Sequence, residues 1–231
     1  MVEDIERFNQ PKRQNLFANI TFAILVLILV SLIIFSQFYS FSKVVGDSML
    51  ETVHDNDMVM CVTPKNLQRG DKVTAVATHQ DGTTINIIKR IVAVEGDRLI
   101  FRSMGDESNW QWNIVELYLD SGNGFELINE DYIMGGQMTG RGFDERQSFF
   151  EKKEYKLYFG DISEVDDSYI ITIGEDEYFL MGDNRDHSTD SRNYGPFSEG
   201  KIFGKVVKIL SPDSFAYKVV DLLFSFRDSI V

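Results

Sequence analysis

Residues 14–42 carry no charge, and 20–35 is an almost unbroken run of Ile, Leu, Val, Phe and Ala. A helix needs about 20 such residues to cross the hydrocarbon core of a bilayer, so the pattern predicts a transmembrane helix over 16–41. The run closes with Ser36-Gln37-Phe38-Tyr39-Ser40-Phe41. A cleavable signal has a shorter apolar stretch ending in small residues, so this segment reads as an uncleaved anchor. Beyond it the hydrophobic period shortens. Segments 57–63, 72–78, 83–94 and 98–102 mix β-branched and apolar residues, with Arg69-Gly70-Asp71, Asp81-Gly82 and Gly96-Asp97 as punctuation, a mainly β pattern. Helical spacing returns only over 214–227, where Phe215, Val219, Leu223 and Phe226 share one face. Lys218, Asp221 and Arg227 argue against a second span there and leave a short amphipathic helix, packed on the domain or lying near a membrane surface.

Residues 103–178 differ in character. They are Gly-rich and acidic, with Trp110, Trp112, Tyr118 and Phe125 in strand-like pieces, and they read as an insertion forming a small second lobe. The glycine run 135–142 matches no phosphate-binding spacing and is a flexible loop. The expected division is a cytoplasmic tail (1–15), the anchor (16–41), a β core (42–102 and 179–212), the inserted lobe (103–178) and a C-terminal helix (213–231).

Charge placement excludes one class of partner and orients the chain. Net charge is −13, yet Glu3, Asp4 and Glu6 balance Arg7, Lys12 and Arg13, so the excess lies wholly after the anchor. Such a surface repels phosphate backbones, and nucleic acid is not an expected partner. Lys12 and Arg13 precede the anchor while mainly Asp and Glu follow it, which places the N-terminus in the cytoplasm and residues after about 42 outside. A single cysteine, Cys61, rules out a disulfide within the chain, and its apolar run reads as a buried, inert thiol.

Chemistry concentrates at three places. Gly46-Asp47-Ser48-Met49 follows the anchor within a few residues, so a nucleophile there meets substrates that are themselves in the membrane. Lys89 lies in Ile85-Asn86-Ile87-Ile88-Lys89-Arg90-Ile91-Val92-Ala93, where alternation puts it on one face with Ile85, Ile87, Ile91 and Ala93. One explanation is a lysine snorkelling at a sheet edge. The other is an ammonium pressed into an apolar wall, whose lost hydration lowers its pKa; a shift of about three units costs roughly 4 kcal/mol and yields a general base. The third place is 182–197, a polar segment between apolar strands. Its Asp183, Asp186 and Asp190 lack the spacing of a calcium loop, so neither metal nor cofactor is expected. Three histidines, His54, His79 and His187, are available for a Ser/His arrangement.

Taken in order, the anchor, Gly46-Asp47-Ser48-Met49, Arg69-Gly70-Asp71-Lys72-Val73, Lys89-Arg90-Ile91 through Gly96-Asp97, and Gly182-Asp183-Asn184 through Ser188, Asp190, Ser191 and Arg192 resemble the bacterial type I signal peptidases over essentially the whole chain. The resemblance implies a β-barrel or sandwich catalytic core of that type and a membrane-anchored serine endopeptidase that removes signal peptides. It implies Ser48 as nucleophile, Lys89 as general base and Ser188 as the residue that hydrogen-bonds and orients the Lys89 amine. Asp183 with Arg90, and Asp190 with Arg192, would be structural ion pairs, and the Ser48 N–H would stabilise the oxyanion. Val44, Met49, Ile87 and Ile88 match positions lining shallow pockets for small residues of a signal peptide bound as an added strand. Expected partners are signal peptides of exported preproteins and membrane lipid, with the chain a monomer near the secretion translocon.

Three positions depart from the family pattern. Glu51 stands where proline is usual, Asn56 replaces a frequent glycine, and Gly46 offers no second oxyanion hydroxyl. They suit a specialised relative serving a few surface proteins as well as a general enzyme. Three rivals are a non-catalytic scaffold, against which both dyad residues stand, a self-cleaving repressor of the same chemistry, against which the anchor stands, and a membrane-tethered adhesion domain, which would not need Lys89 centred on an apolar strand face.

Overall fold

The computed structural model describes residues 12–79, 81–143, 157–224 and 229–230. Residues 1–11 of the expected cytoplasmic tail, 144–156 of the expected lobe, and Phe226 and Arg227 of the expected helix lie outside the described residues.

The chain forms two compact units, one ending at Ser40 and the other beginning at Phe41. The first is the helix α1 (Lys12–Phe38), whose stretch Leu16–Phe38 is long and apolar enough to cross a membrane. Every side chain of that stretch is exposed. Its hydroxyls are satisfied internally: Thr21, Ser31 and Ser36 donate to the carbonyls of Phe17, Ile28 and Ile33. Such back-bonding removes the penalty of an unpaired polar group in an apolar solvent. The helix stops short of the expected residue 41 because Tyr39 starts a strand, β1 (Tyr39–Val44).

The second unit is built on β2 (Met58–Val62), β3 (Lys72–Thr78), β4 (Thr84–Ala93), β5 (Arg98–Ser103), β6 (Ile114–Asp120), β7 (Glu126–Leu127), β8 (Met138–Thr139), β9 (Ile171–Thr172), β10 (Glu177–Met181), β11 (Phe197–Ser198), β12 (Ile202–Leu210) and β13 (Ser229–Ile230). Among the described residues two α-helices punctuate it, the single turn α2 (Ser191–Tyr194) and α3 (Phe215–Phe224), along with short 3-10 turns. The larger sheet runs β11-β10-β4-β3-β12-β2-β1-β13; the smaller runs β7-β6-β5-β9, with β8 against β6. The fold is mainly β, as the alternating pattern predicts.

The hairpin β3–β4 shows why. Its loop closes through His79 N–H to the Thr83 carbonyl, and Gly82 supplies the positive φ of 84° that the turn requires. The register then sets Ala77 opposite Ile85, Ala75 opposite Ile87 and Val73 opposite Lys89. Residues opposite one another share a face, so small alanines meet large isoleucines in a row that is buried apart from the half-buried Ile85. That row packs with Ile91, Leu180, Phe197 and Ile202.

β5 belongs to the smaller sheet, although its sequence placed most of it in the first β core. The turn at Gly96-Asp97 redirects the chain: the Asp97 carboxylate takes the Val94 N–H and the Nε and Nη2 groups of the Arg69 guanidinium. Leu99, Phe101, Val115 and Leu117 of the smaller sheet then bury against Val92, Ala93, Phe179 and Met181, which end β4 and β10. The C-terminal region also differs from one helix over 213–231, since α3 ends at Phe224 and Ser229–Ile230 is a strand. Cys61 is buried, and burial pushes its thiol up to about 11, the inert state expected.

A polar clasp joins the smaller sheet's connections to segment 182–192. Arg185, 1% exposed, forms a two-pronged ion pair with Glu130 and donates to the Gly182 carbonyl at 2.9 Å. The Asp186 carboxylate accepts from Thr139 N–H at 2.9 Å and Thr139 Oγ1 at 2.7 Å. Removing one partner of a buried pair leaves an uncompensated charge, so Glu130→Ala should cost about 3–5 kcal/mol, read from the urea midpoint of the detergent-solubilised chain.

Candidate active site

Ser48 sits in a turn four residues beyond β1, its flanks held by backbone and side-chain contacts to segment 182–192. Asn184 N–H donates to the Ser48 carbonyl at 3.0 Å, and Asn184 Nδ2 donates to the Asp47 carbonyl at 3.0 Å. Val53 N–H and Thr52 N–H both close on the Met49 carbonyl at 2.9 Å, winding the turn tightly. The peptide bond Leu50–Glu51 is cis, and the Glu51 side chain is exposed. Among the described residues the Ser48 N–H has no hydrogen-bond partner.

Lys89 is 2% exposed on the apolar row of β4. Its Nζ donates to Ser48 Oγ at 2.8 Å and to the Ile88 carbonyl at 2.9 Å. Burial lowers its pKa to about 8; Asp190 and Asp183 oppose the shift and Arg192 supports it. No carboxylate touches the amine directly, so lost hydration prevails. A weakly basic amine against a hydroxyl is an arrangement able to exchange a proton with it.

Two buried ion pairs frame these groups. Arg90 grips Asp183 through Nε at 2.8 Å and Nη2 at 2.6 Å, and its Nη1 donates to the Gly70 carbonyl. Asp183 Oδ2, which accepts from Arg90 Nη2, also accepts from the Thr52 hydroxyl at 2.5 Å, which ties the serine turn to the lysine strand. Arg192 closes on Asp190 through Nε at 2.9 Å and Nη2 at 2.8 Å. Asp190 also caps α2 and accepts the Gly182 N–H at 3.0 Å. Burial alone would raise the Asp190 carboxyl, but the Arg192 charge and hydrogen bonds hold it below the usual range. Gly182 has no room for a side chain: an added Cβ would collide with Ser188 Oγ and the Ser48 carbonyl.

Ser188 departs from expectation. Its Oγ is buried and makes no hydrogen bond, while the Lys89 amine directs its bonds to Ser48 and Ile88. Of the residues expected to line a substrate pocket, Val44, Met49 and Ile88 share one apolar cluster with Val53 and Cys61, whereas Ile87 packs on the Val73–Ala75 side. None of the three histidines hydrogen-bonds Ser48: His187 is exposed, His54 lies 3.7 Å from Asp57, and His79 meets Tyr194.

The model of the family described as signal peptidase, peptidase S26, matches residues 16–210. The chain belongs to the signal peptidase family. Among the family's characterised members, signal peptidase I of Streptococcus pneumoniae is 27% identical over 193 residues, covering 78% of this chain and 87% of that protein. Signal peptidase I S of Bacillus subtilis is 26% identical, covering 79% and 82%. A crystal structure of a signal peptidase I from Enterococcus faecalis aligns over 62% of this chain and 98% of its own length, with 22% identity and a TM-score of 0.37. Membership makes this chain a peptidase, and its N-terminal helix is long and apolar enough to cross a membrane.

Several residues of this family member escaped the sequence reading. Thr52, Arg185, Glu130 and Tyr132 complete a chain of contacts in which Tyr132 donates to Glu130 at 2.7 Å and lies 3.9 Å from the Arg90 guanidinium. Arg185 stood in the quoted segment, and its place among turn formers was a usable signal; Glu130 and Tyr132 lie in a stretch with no pattern of its own.

The Lys89 shift fixes the sign of a stability effect. Folding pays for burying the ammonium below pH 8, the penalty shrinks between 8 and 10.5, and it is gone above. Lys89→Met should therefore stabilise the fold at pH 7 by about 3 kcal/mol, with the difference from the parent falling as pH rises toward 10, checked by denaturant titration at several pH values.

Proposed function

We propose that the chain is a membrane-anchored serine endopeptidase that removes signal peptides from exported preproteins on the outer face of a bacterial membrane, with Ser48 as nucleophile and Lys89 as general base. The observation that carries this reading is the 2.8 Å contact between Lys89 Nζ and Ser48 Oγ inside an apolar wall. Once the amine is neutral, its lone pair accepts the Ser48 proton. The freed oxygen attacks the scissile carbonyl carbon, and the protonated amine returns the proton to the leaving nitrogen as the C–N bond breaks. Water then hydrolyses the ester by the same route. The unpartnered Ser48 N–H suits the oxyanion. Accepting from Ser48 leaves the amine two N–H bonds, one for Ile88 and one for the buried Ser188 hydroxyl, which in this reading orients it. The pairs Asp183–Arg90 and Asp190–Arg192 keep the serine turn and the lysine strand in register.

The charge pattern around the anchor supports a cytoplasmic N-terminus and an extracytoplasmic peptidase unit spanning 42–102 and 179–212, whose β5 pairs with strands of the intervening residues in the second sheet. Val44, Met49 and Ile88, contiguous in one cluster beside the serine turn, support an apolar pocket for small side chains, whereas Ile87 packs in a separate cluster. The exposed Glu51 close to Ser48 favours a restricted substrate range over a general one, and the intact dyad disfavours a non-catalytic scaffold.

Ser48→Ala and Lys89→Ala should each lower cleavage of a preprotein by at least about a thousandfold while the chain stays folded. Retained processing by purified Ser48→Ala protein would refute the assignment. Activity of the parent should rise through an apparent pKa near 8 as Lys89 deprotonates; a rise governed by a group titrating near 6.5 would point to histidine instead.

A further inference from the structure

β1 has two edges. One is taken by the chain before β2, through Val44 N–H to the Asp57 carbonyl at 2.8 Å and Asn56 N–H to the Val44 carbonyl at 3.0 Å. The other is occupied by β13, with Lys43 opposite Ser229 and Val44 opposite Ile230. This is the one parallel pairing between named strands of the described residues. β13 also lies against β4, with Cα atoms of the two strands within 8 Å. It thus sits between the strand that leads into Ser48 and the strand that carries Lys89.

The position has a chemical meaning. A peptide whose carbonyl is to be reached by Ser48 and whose leaving nitrogen is to be served by Lys89 must run between the strands delivering them. An open strand edge offers it a row of backbone partners, and an edge can pair with one strand at a time. Because β13 is parallel to β1, and β1 continues into the Ser48 turn, its occupant runs toward the nucleophile in the N-to-C direction. Nothing in this requires a matching side chain; backbone pairing alone holds a segment there.

We propose that the segment following α3 is an internal competitor: residues 229–230 occupy, as a backbone-paired strand, the channel in which an extended substrate is presented to Ser48, and a substrate must displace them. The proposal rests on the assignment of Ser48 and Lys89 above. Only residues 225–228 separate the strand from α3, and a tether that short sustains an effective concentration of about a millimolar. Against an affinity of about 0.1 mM for the same peptide free in solution, such a tether raises the apparent KM about tenfold and leaves kcat unchanged.

The test compares the full chain, a chain stopped after Phe224, and a full-length chain carrying Ser229→Pro and Ile230→Pro, which removes two backbone N–H donors without shortening anything. Each is assayed on one peptide substrate across concentrations. KM should fall about tenfold in both altered chains with kcat constant, and a synthetic peptide of residues 225–231 should inhibit the stopped chain competitively. Equal KM in all three, with no inhibition by the peptide, overturns the proposal; should the stopped chain fail to fold, the full-length proline variant decides alone. Introducing Ser48→Ala into each chain separates the two ideas. Activity that survives it refutes the dyad, whereas Ser48-dependent activity with unchanged KM refutes the internal competitor only.

Discussion

Taking one ammonium group out of water is the constraint around which the rest of the peptidase unit is organised. Lys89 lies on a row of alanines and isoleucines whose other members have nothing polar to offer it, and its amine finds only a hydroxyl and a main-chain carbonyl. A charged partner would restore the ordinary basicity of lysine and remove the chemistry proposed for it. The nearby carboxylates are instead committed elsewhere, each clasped by its own arginine. Close enough to influence the amine, they are too well neutralised to capture it.

That commitment also solves a mechanical problem. The serine stands in a turn and the lysine on a strand of the larger sheet, and neither element specifies the position of the other. Asp183 bridges them by holding Arg90 on the strand and Thr52 in the turn, while Asn184 fixes the serine's own backbone. Behind this stands the smaller sheet, whose Glu130 and Tyr132 support Arg185 and Arg90. Its connections are therefore part of the scaffold of the site, in keeping with the general need to hold reactive groups by neighbours that are themselves locked.

Much of this was legible in the residues. The uninterrupted apolar run announced α1, and strict alternation placed Lys89 in the row with Ile85 and Ile87 that the hairpin register shows. The segment 182–192 stood out through its density of charges between apolar strands. What alternation could not convey was pairing at a distance. The assignment of β5 to the smaller sheet depends on a turn stabilised by Arg69, far away in sequence, and Glu130 is an ordinary acidic residue until Arg185 is folded against it. The strand at 229–230 is two residues long and pairs with β1, so no local period betrays it. Ile87 likewise followed the shared strand rather than the shared pocket, because neighbours along a strand point to opposite sides.

The bridge at Asp183 has a bearing on biosynthesis. Its bond to Thr52 spans 131 positions and its bond to Arg90 spans 93, so a polypeptide being delivered from its N-terminus exposes its hydroxyl and its amine long before the residue that aligns them has been made. Contacts of such long range form late. On the proposed assignment, the hydroxyl and the amine of a nascent molecule are therefore aligned only after Asp183 has been made.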